Sequence, residues 1–577
     1  MIKALVIILV FLPSLCCGAE TWYAKNPCTN NGDGTTASCA ASPGAAGAFN
    51  SLDNIVWGSV GAGDNVYLIG TFDANLTIAA AGSAGSHITV RGDHVSGSGQ
   101  IGTTISSHEV HLNNYITLYK LTIYGSISNK VISIYGPYNI QFIAETNEIR
   151  DYGQGAIAAG FSVGESVQIN GSSNNDTLIY KIKTISAEAS YDKIIVETDN
   201  AFWSVIDEAQ VSARLYRFKI YHDVTIDGCT VIQVSAGTQL INFNSIPENI
   251  IVRNCDLNGN SMDVRGALYW YVTANWTRPN NILIDNNYIH DIGDGTYQEG
   301  EYDNHCIGIQ ASSNMTITNN HMERCAAAIV AYSYNDPGTT IDNLVIAYNL
   351  IEKMDGNNQN GQYPGSGIII IGNVVCTLCD PPAEIHHNVI VAPFDCPETP
   401  NNSSCTGINY SWGVQGKIYS NTISGFADGI RLGSTADLQN NIISNSSRYH
   451  IAIPATVGDW TEDFNIFYPD TGTKFYKTPT AYNFTDYKTN HPQAGTNVNS
   501  STADPLLTSI YHLGAGSPAI DTGTDWGQTK DKAGIGKIGS AWDIGAYEFF
   551  TGSAISFLLD SGHSITTGGS GSITISP

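Results

Sequence analysis

Eight positions of this chain repeat one pattern. Asn287 is matched at Cys229, Cys255, Asn320, Asn349, Asn388, Asn421 and Asn441. Two residues after each stands an aliphatic side chain or a methionine: Ile289, then Val231, Leu257, Met322, Ile351, Ile390, Ile423 and Ile443. A second row pairs a small residue with an aliphatic one, at Ala267-Leu268, Gly308-Ile309, Ala328-Ile329, Gly367-Ile368, Gly407-Ile408 and Gly429-Ile430. The intervals are irregular, 20 residues from 421 to 441 and 39 from 349 to 388. A constant strand phase at variable spacing describes rungs of fixed size carrying loops of different length. One rung cannot bury its apolar face alone, so rungs must stack. Parallel stacking at about 4.8 Å sets each Asn over the next, where side-chain amides bond to each other and to backbone. The predicted fold is all-β, a right-handed parallel β-helix. A β-sandwich with Asn turns gives no reason for one residue type to recur at one strand phase.

The chain divides by this phase. Residues 1–19 read as a secretory signal, with Lys3, the apolar run Ala4–Leu15 and small residues before Glu20. The pair Cys16-Cys17 offers lipid attachment as an alternative. Residues 20–100 are the N-terminal cap and first rungs, with Ala46–Gly58 expected as a short amphipathic helix over the open end. Residues 101–159 are early rungs. Residues 160–217 hold longer alternating strands without the Asn phase and read as a small inserted β-barrel-like domain. The regular coil spans 218–455, a C-terminal closure 456–550, and a Ser/Gly/Thr-rich tail 551–577. Nothing after the signal is long and apolar enough to span a membrane.

Two stretches carry a family resemblance. Gly63-Asp-Asn-Val-Tyr-Leu-Ile-Gly70 and Gly82-Ser-Ala-Gly-Ser-His-Ile-Thr-Val-Arg-Gly92 resemble the strands that start the coil in secreted bacterial β-helix proteins of the pectate-lyase-like superfamily. Ser517-Pro-Ala-Ile-Asp521-Thr-Gly and Trp542-Asp-Ile-Gly-Ala-Tyr-Glu-Phe549 resemble the C-terminal closure of the same proteins. The resemblance implies architecture, and the expected partner, a polysaccharide or cell-surface glycan, rests on the aromatic residues named below. The resemblance does not specify an activity, because no catalytic motif of a lyase, epimerase or polygalacturonase is present.

Charge narrows the partners. A net charge of −26 argues against nucleic acid and against an anionic membrane surface. It sits badly with a polyanionic substrate unless calcium or a basic patch intervenes. Export permits disulfides among the ten cysteines that follow the signal. Cys28/Cys39, Cys376/Cys379 and Cys396/Cys405 read as loop staples. Cys229/Cys255 share the repeat phase on successive rungs, at a separation short for a disulfide, and Cys306/Cys325 are expected to face each other likewise.

The longest loops follow the Asn-bearing strand. One of them carries Asp291, Asp294, Glu299, Glu301 and Asp303 and ends at His305. Such a cluster reads in three ways. Asp291, Asp294 and Glu299 suit Ca²⁺. Glu301 and Asp303, with His305, suit the acid and base of a glycosidase. An exposed acidic loop with no further role is the third. Arg324 and Lys353 each follow a column Asn by four residues, so they are expected to leave one edge on successive rungs. There they could neutralise a uronate for a lyase, or simply pair with Glu323 and Glu352. Trp270, Tyr271, Tyr332 and Trp412 fall at or just past the Gly–Ile strand and are candidate sugar-stacking residues. Two function classes follow: a polysaccharide lyase or glycosidase, or a non-catalytic surface, matrix or fibre protein that binds glycan or itself.

Overall fold

The computed structural model describes residues 19–94, 103–128, 133–153, 156–157, 161, 163, 166–170, 179–196, 206–218, 222–235, 239–242, 248–262, 266–270, 279–293, 304–309, 312–333, 341–354, 365–372, 383–392, 405–411, 416–454, 460–490, 498–550, 564–567 and 573–576. The main body is a right-handed parallel β-helix. Each rung has a leading strand, a sharp bend, a middle strand and a trailing strand. In one rung these are Asn280–Asp285, Tyr288–Ile292 and His305–Ile309. Every strand pairs in parallel with its counterpart one rung away, as Ile284 does with Ile317 and Ile289 with Met322.

Inward side chains form straight aliphatic columns. One runs Ile226, Val252, Ile284, Ile317, Ile346, Ile385, Ile418 and Leu438. These residues belong to one continuous buried core. Each contributes roughly 1.5–3 kcal/mol of burial before conformational entropy is counted.

The bend carries the Asn column. A residue in the left-handed region precedes each Asn: Asn286 (φ 52°), Asn319 (φ 56°), Tyr348 (φ 60°), His387 (φ 53°), Ser420 (φ 51°) and Asn440 (φ 54°). It turns the chain inward so that the following amide points into the coil. Asn349 is typical. Its Nδ2 donates to Ile317 O at 2.9 Å and to Asn388 Oδ1 at 3.0 Å, and its Oδ1 accepts Asn320 N and Nδ2, each at 3.0 Å. The column also reaches past the expected end of the coil. Asn441 bonds to Asn465, and Asn465 N donates to Ser500 Oγ at 3.0 Å. The regular coil therefore continues beyond residue 455.

The second row needs one correction. Leu268 pairs with Ile307, not Ile309, so Cys306-Ile307 is the matching dipeptide on that rung. Gly308 faces outward beneath Tyr269, where a Cβ would lie 2.3 Å from the ring.

The inserted domain starts earlier than the sequence suggests. Ser133–Ile143, Glu148–Asp151, Ser166–Asn170, Ile179–Ala187, Asp192–Val196 and Glu208–Phe218 close an antiparallel barrel. Its first two strands were expected as coil rungs. Ile140, Phe142, Ile149, Val167, Ile169, Ile182 and Ile194 fill its interior. The chain leaves the coil after the strand Leu121–Ser128 and resumes at His222–Asp227, with Ile116 paired to Val224 and Ile127 to Ile241.

The two ends are covered differently. No α-helix forms over Ala46–Gly58. Phe49 N donates to Tyr23 O at 2.9 Å and Ala48 N to Ser38 O at 2.8 Å, so these amides make lateral bonds, and one 3-10 turn, Trp57–Ser59, follows. At the far end the helix Phe484–Asn490 lays Phe484 and Tyr487 on Phe475. Residues 498–550 then run back along the bend: Gly545 N donates to Asn440 O at 2.7 Å and Ala546 N to Thr422 Oγ1 at 3.0 Å. The carboxylates of the Trp542–Phe549 motif bond backbone amides, Asp543 that of Asp521 and Glu548 those of Asp543 and Ile538. The tail contributes a paired hairpin, Ser564–Thr567 with Ile573–Ser576. No helix among the described residues is long and apolar enough to cross a membrane.

Glu462 ends the aliphatic column, in register with Leu438. It is buried, and burial pushes its carboxyl up to about 7 against the opposing bonds from Ser500 and Asn465. A folded pKa raised above the ordinary 4.5 gives stability that is complete below pH 4.5 and lost as pH rises through 7. Glu462→Gln keeps both bonds and removes the titration. The variant should match the parent in melting temperature near pH 4.5 and exceed it at pH 8. An equal difference at both pH values would refute this origin.

Cysteines divide into bonded and free. Cys28–Cys39 and Cys306–Cys325 are disulfides, with Cα separations of 5.4 and 5.6 Å. Cys306–Cys325 joins a trailing strand to a middle strand, not two equivalent positions. Cys405 is also disulfide-bonded. Cys229 and Cys255 are free and buried, which corrects the expected bond. Parallel register holds them about one strand spacing apart. Cys255 Sγ instead lies 3.1 Å from Arg253 O. Cys376, Cys379 and Cys396 lie outside the described residues.

Candidate functional site

Outward side chains of the middle strands align as strictly as the inward ones. One column holds Asp256, Tyr288 and His321; the next holds Asn258, His290, Glu323 and Glu352. At the corner that follows, Asp291 (φ 56°), Arg324 (φ 53°) and Lys353 (φ 51°) adopt the same left-handed bend on three rungs. Arg324 N bonds Lys353 O at 3.1 Å, so the two cations do leave one edge on successive rungs.

These groups form one network. Arg324 binds both oxygens of Asp291, with Nη2 to Oδ2 at 3.0 Å, and its Nη1 binds Glu323. Lys353 Nζ lies 3.1 Å from Glu323 and 3.1 Å from Glu352. His290 reaches Asp256 through Nε2 at 2.9 Å and Asp291 through Nδ1 at 2.5 Å. The Tyr288 hydroxyl donates to Glu323, and its ring stacks on His290 with centroids 4.1 Å apart. His321 Nε2 meets Glu352 at 3.1 Å.

Electrostatics follow from this pairing. Burial opposes ionisation of Glu323, but bonds from Tyr288, Lys353 and Arg324 hold its carboxyl down at about 2. Arg324 and His290 hold Asp291 below the ordinary carboxylate range. Burial opposes charge on His290, yet Asp256 and Asp291 raise it above its ordinary value. Glu323 and Glu352 raise Lys353. Every carboxylate of the network has a basic partner, and Lys353 in it is a fixed cation, not a base.

One test follows from the sign. A folded pKa depressed from 4.5 to about 2 gives stability present above pH 4.5 and lost as pH falls toward 2. Glu323→Gln should therefore be less stable than the parent at pH 7, with the gap closing between pH 4.5 and 2 in urea titrations. A gap constant with pH would show that the carboxylate charge contributes nothing.

The remaining expected residues fall elsewhere. Asp294, Glu299, Glu301, Asp303, Tyr271 and Trp412 lie outside the described residues. Gly293 and Asn304 are the stems of that loop, and His305 begins the trailing strand, buried. The Cys306–Cys325 disulfide joins the residue after His305 to the residue after Arg324, so both sit at the loop's base. Trp270 and Tyr332 lie on the trailing strands Gly266–Trp270 and Ala327–Ser333. Neighbouring Tyr269 and Tyr410 are packed and buried, not exposed to a ligand. Tyr288, His290, His321 and Asp256 were missed. They follow their column residues by one or three positions, which was the available signal.

Calcium finds little here. Asp291 spends both oxygens on Arg324. Among the described residues His321, Glu323 and Glu352 form one grouping whose donor atoms lie within 4.8 Å of one another. The Lys353 ammonium stands 3.1 Å from both carboxylates, in the place of a metal, and an imidazole is a poor ligand for a hard cation. This donor set does not fit calcium.

The fold and flank define a parallel β-helix with a network of paired charges on one side. No protein-family model matches the chain, and no curated relative does. Similar solved structures include the pectate lyase Pel9A, 11% identical over 92% of this chain and 96% of that one, with a TM-score of 0.36. A PL6 family polysaccharide lyase from Pseudopedobacter saltans is 11% identical over 84% and 97%, TM-score 0.36. The GH136 lacto-N-biosidase from Eubacterium ramulus is 14% identical over 80% and 67%, TM-score 0.31. Likeness at this level carries neither an activity nor site residues to this chain.

Proposed function

We propose that the protein is a secreted or cell-surface solenoid that lays a polysaccharide along the middle-strand flank and hydrolyses it. The flank itself carries this reading. Tyr288, His321, His290, Glu323 and Glu352 stand in straight columns on rungs about 4.8 Å apart, close to the length of one sugar ring along its chain. The strand Tyr288–Ile292 that contributes to these columns leads into the loop that bears Glu301 and Asp303, the proposed acid and base. His305 begins the strand after that loop, and Arg324 and Lys353 leave the coil at the edge of Asp291, one and two rungs on. Trp270, Tyr271, Tyr332 and Trp412 are the proposed stacking residues. The disulfides are consistent with an oxidising compartment. Asp294 and Glu299 are the remaining calcium candidates, and no step of the proposal runs through a metal.

Elimination chemistry is disfavoured. It needs a neutral base beside a neutralised uronate, whereas Lys353 is held protonated and the net charge of −26 repels polyuronates. Saturation of every described charge in the network favours a second reading, glycan binding without cleavage. Both ends of the coil are covered, which opposes end-to-end fibres. Incubation with a panel of neutral and acidic polysaccharides separates these readings. Hydrolysis predicts new reducing ends without ultraviolet-absorbing unsaturated products, reduced about 10³-fold in Glu301→Gln and Asp303→Asn. Unsaturated products would establish a lyase, and binding without products would establish the second reading.

A further inference from the structure

The leading strands of the first rungs carry a different outward surface. There, Tyr23, Tyr67, Arg91 and Tyr119 lie in register in one outward column. Tyr23 and Tyr67 stack with centroids 5.6 Å apart and planes 16° off parallel. The Arg91 guanidinium lies between Tyr67 and Tyr119, at 5.2 and 5.0 Å from the rings, and is bound through two nitrogens by Asp93 at 2.9 and 2.8 Å. A parallel column two residues away holds Thr89, Thr117 and Thr225. All of these side chains are half-exposed.

We infer that this face is a second carbohydrate-binding surface, on different strands and earlier rungs than the middle-strand flank, for an uncharged polysaccharide lying along the coil axis. Three observations support that occupant. A tyrosine or a threonine hydroxyl recurs on each of five leading strands over about 19 Å, a run of groups that a linear polymer of similar repeat meets throughout. The column's charges are matched, Arg91 by Asp93 and Asp227, in register with Tyr119 on the fifth strand, by Arg253, and Lys120 lies over the Tyr119 ring, so a chain of net charge −26 presents here paired charges and not a net negative face. Tyr23 and Arg91 take the faces of Tyr67, so ring edges, phenol hydroxyls and threonine hydroxyls offer the contact and the hydrogen bonds that a sugar uses. Residues 498–550 lie on the bend of later rungs, at Tyr348, Thr422 and Asn440, and leave this face open. The inference does not require cleavage.

Co-sedimentation of the full chain with insoluble cellulose, chitin, xylan and mannan, and retention on immobilised polygalacturonate, test it. At least one neutral polymer should retain the protein, with retention unchanged in about 1 M NaCl, where charges are screened beyond about 3 Å. The double variant Tyr67→Ala/Tyr119→Ala should weaken that retention at least 10-fold while leaving any hydrolysis of soluble substrate unchanged. Thr117→Lys keeps the aromatic column and should give a similar loss, which covers the case in which the double variant fails to fold. Retention equal to the parent in Thr117→Lys, binding confined to polygalacturonate and abolished by salt, or binding to no polymer would each overturn the inference. A change of solution mass in the variants would overturn it too, by marking the face as an interface between copies.

Discussion

Asn349→Ala is expected to destabilise the coil by about 4 kcal/mol, near the top of the range for a point change. The side chain is fully buried and makes four hydrogen bonds, to Ile317 O, Asn388 Oδ1, Asn320 N and Asn320 Nδ2. Alanine leaves the last two as donors without this acceptor and strips Ile317 O of a partner. Each buried polar group so orphaned costs about 1–3 kcal/mol. The control is Asn286→Gly, two rungs earlier and one residue before the column, where glycine keeps the left-handed backbone without strain. Asn286 bonds only an exposed neighbour, Asn254 Oδ1, at 2.8 Å, and should cost less than about 1 kcal/mol. Guanidinium denaturation of both variants checks the contrast, and similar losses at the two sites would mean that the interior amides are not what joins the rungs.

The second large effect is expected at Asp428→Ala, about 3 kcal/mol. Asp428 is fully buried on the outer side of a trailing strand and takes Arg448 through Nε at 2.8 Å and Nη2 at 2.5 Å, with Arg431 at 3.7 Å. Removing one member of a buried pair costs roughly 3–5 kcal/mol. The low end applies because Arg448 and Arg431 are 20% and 14% exposed and can turn toward water. Arg253→Ala breaks a comparable pair with Asp227, but Arg253 is 45% exposed, so that loss should stay below about 1 kcal/mol. Equal losses would show that burial does not set the strength of these pairs.

The Asn column made the coil legible because one side-chain type met one need on every rung. Asn465 was legible by the same rule, standing two residues before Phe467, but it lies beyond an interval without strand signals. The slip at Gly308-Ile309 has a different cause. Strand alternation has period two, so Cys306-Ile307 and Gly308-Ile309 fit the pattern equally, and only pairing with Leu268 decides. The barrel strand Glu148–Asp151 was read as coil because alternation alone does not distinguish antiparallel from parallel neighbours. At the candidate site the alignment of Arg324 with Lys353 followed from sequence. Their saturation by Asp291, Glu323 and Glu352 did not, because it depends on how far each long side chain reaches across rungs.

The barrel enters and leaves at one corner, and the strands on either side pair as though nothing stood between them. The solenoid is thus a spindle whose height is set by its rungs alone. A foreign fold can be grafted at a turn, enlarged or exchanged over evolutionary time, and the axial alignment of every later side chain survives the change.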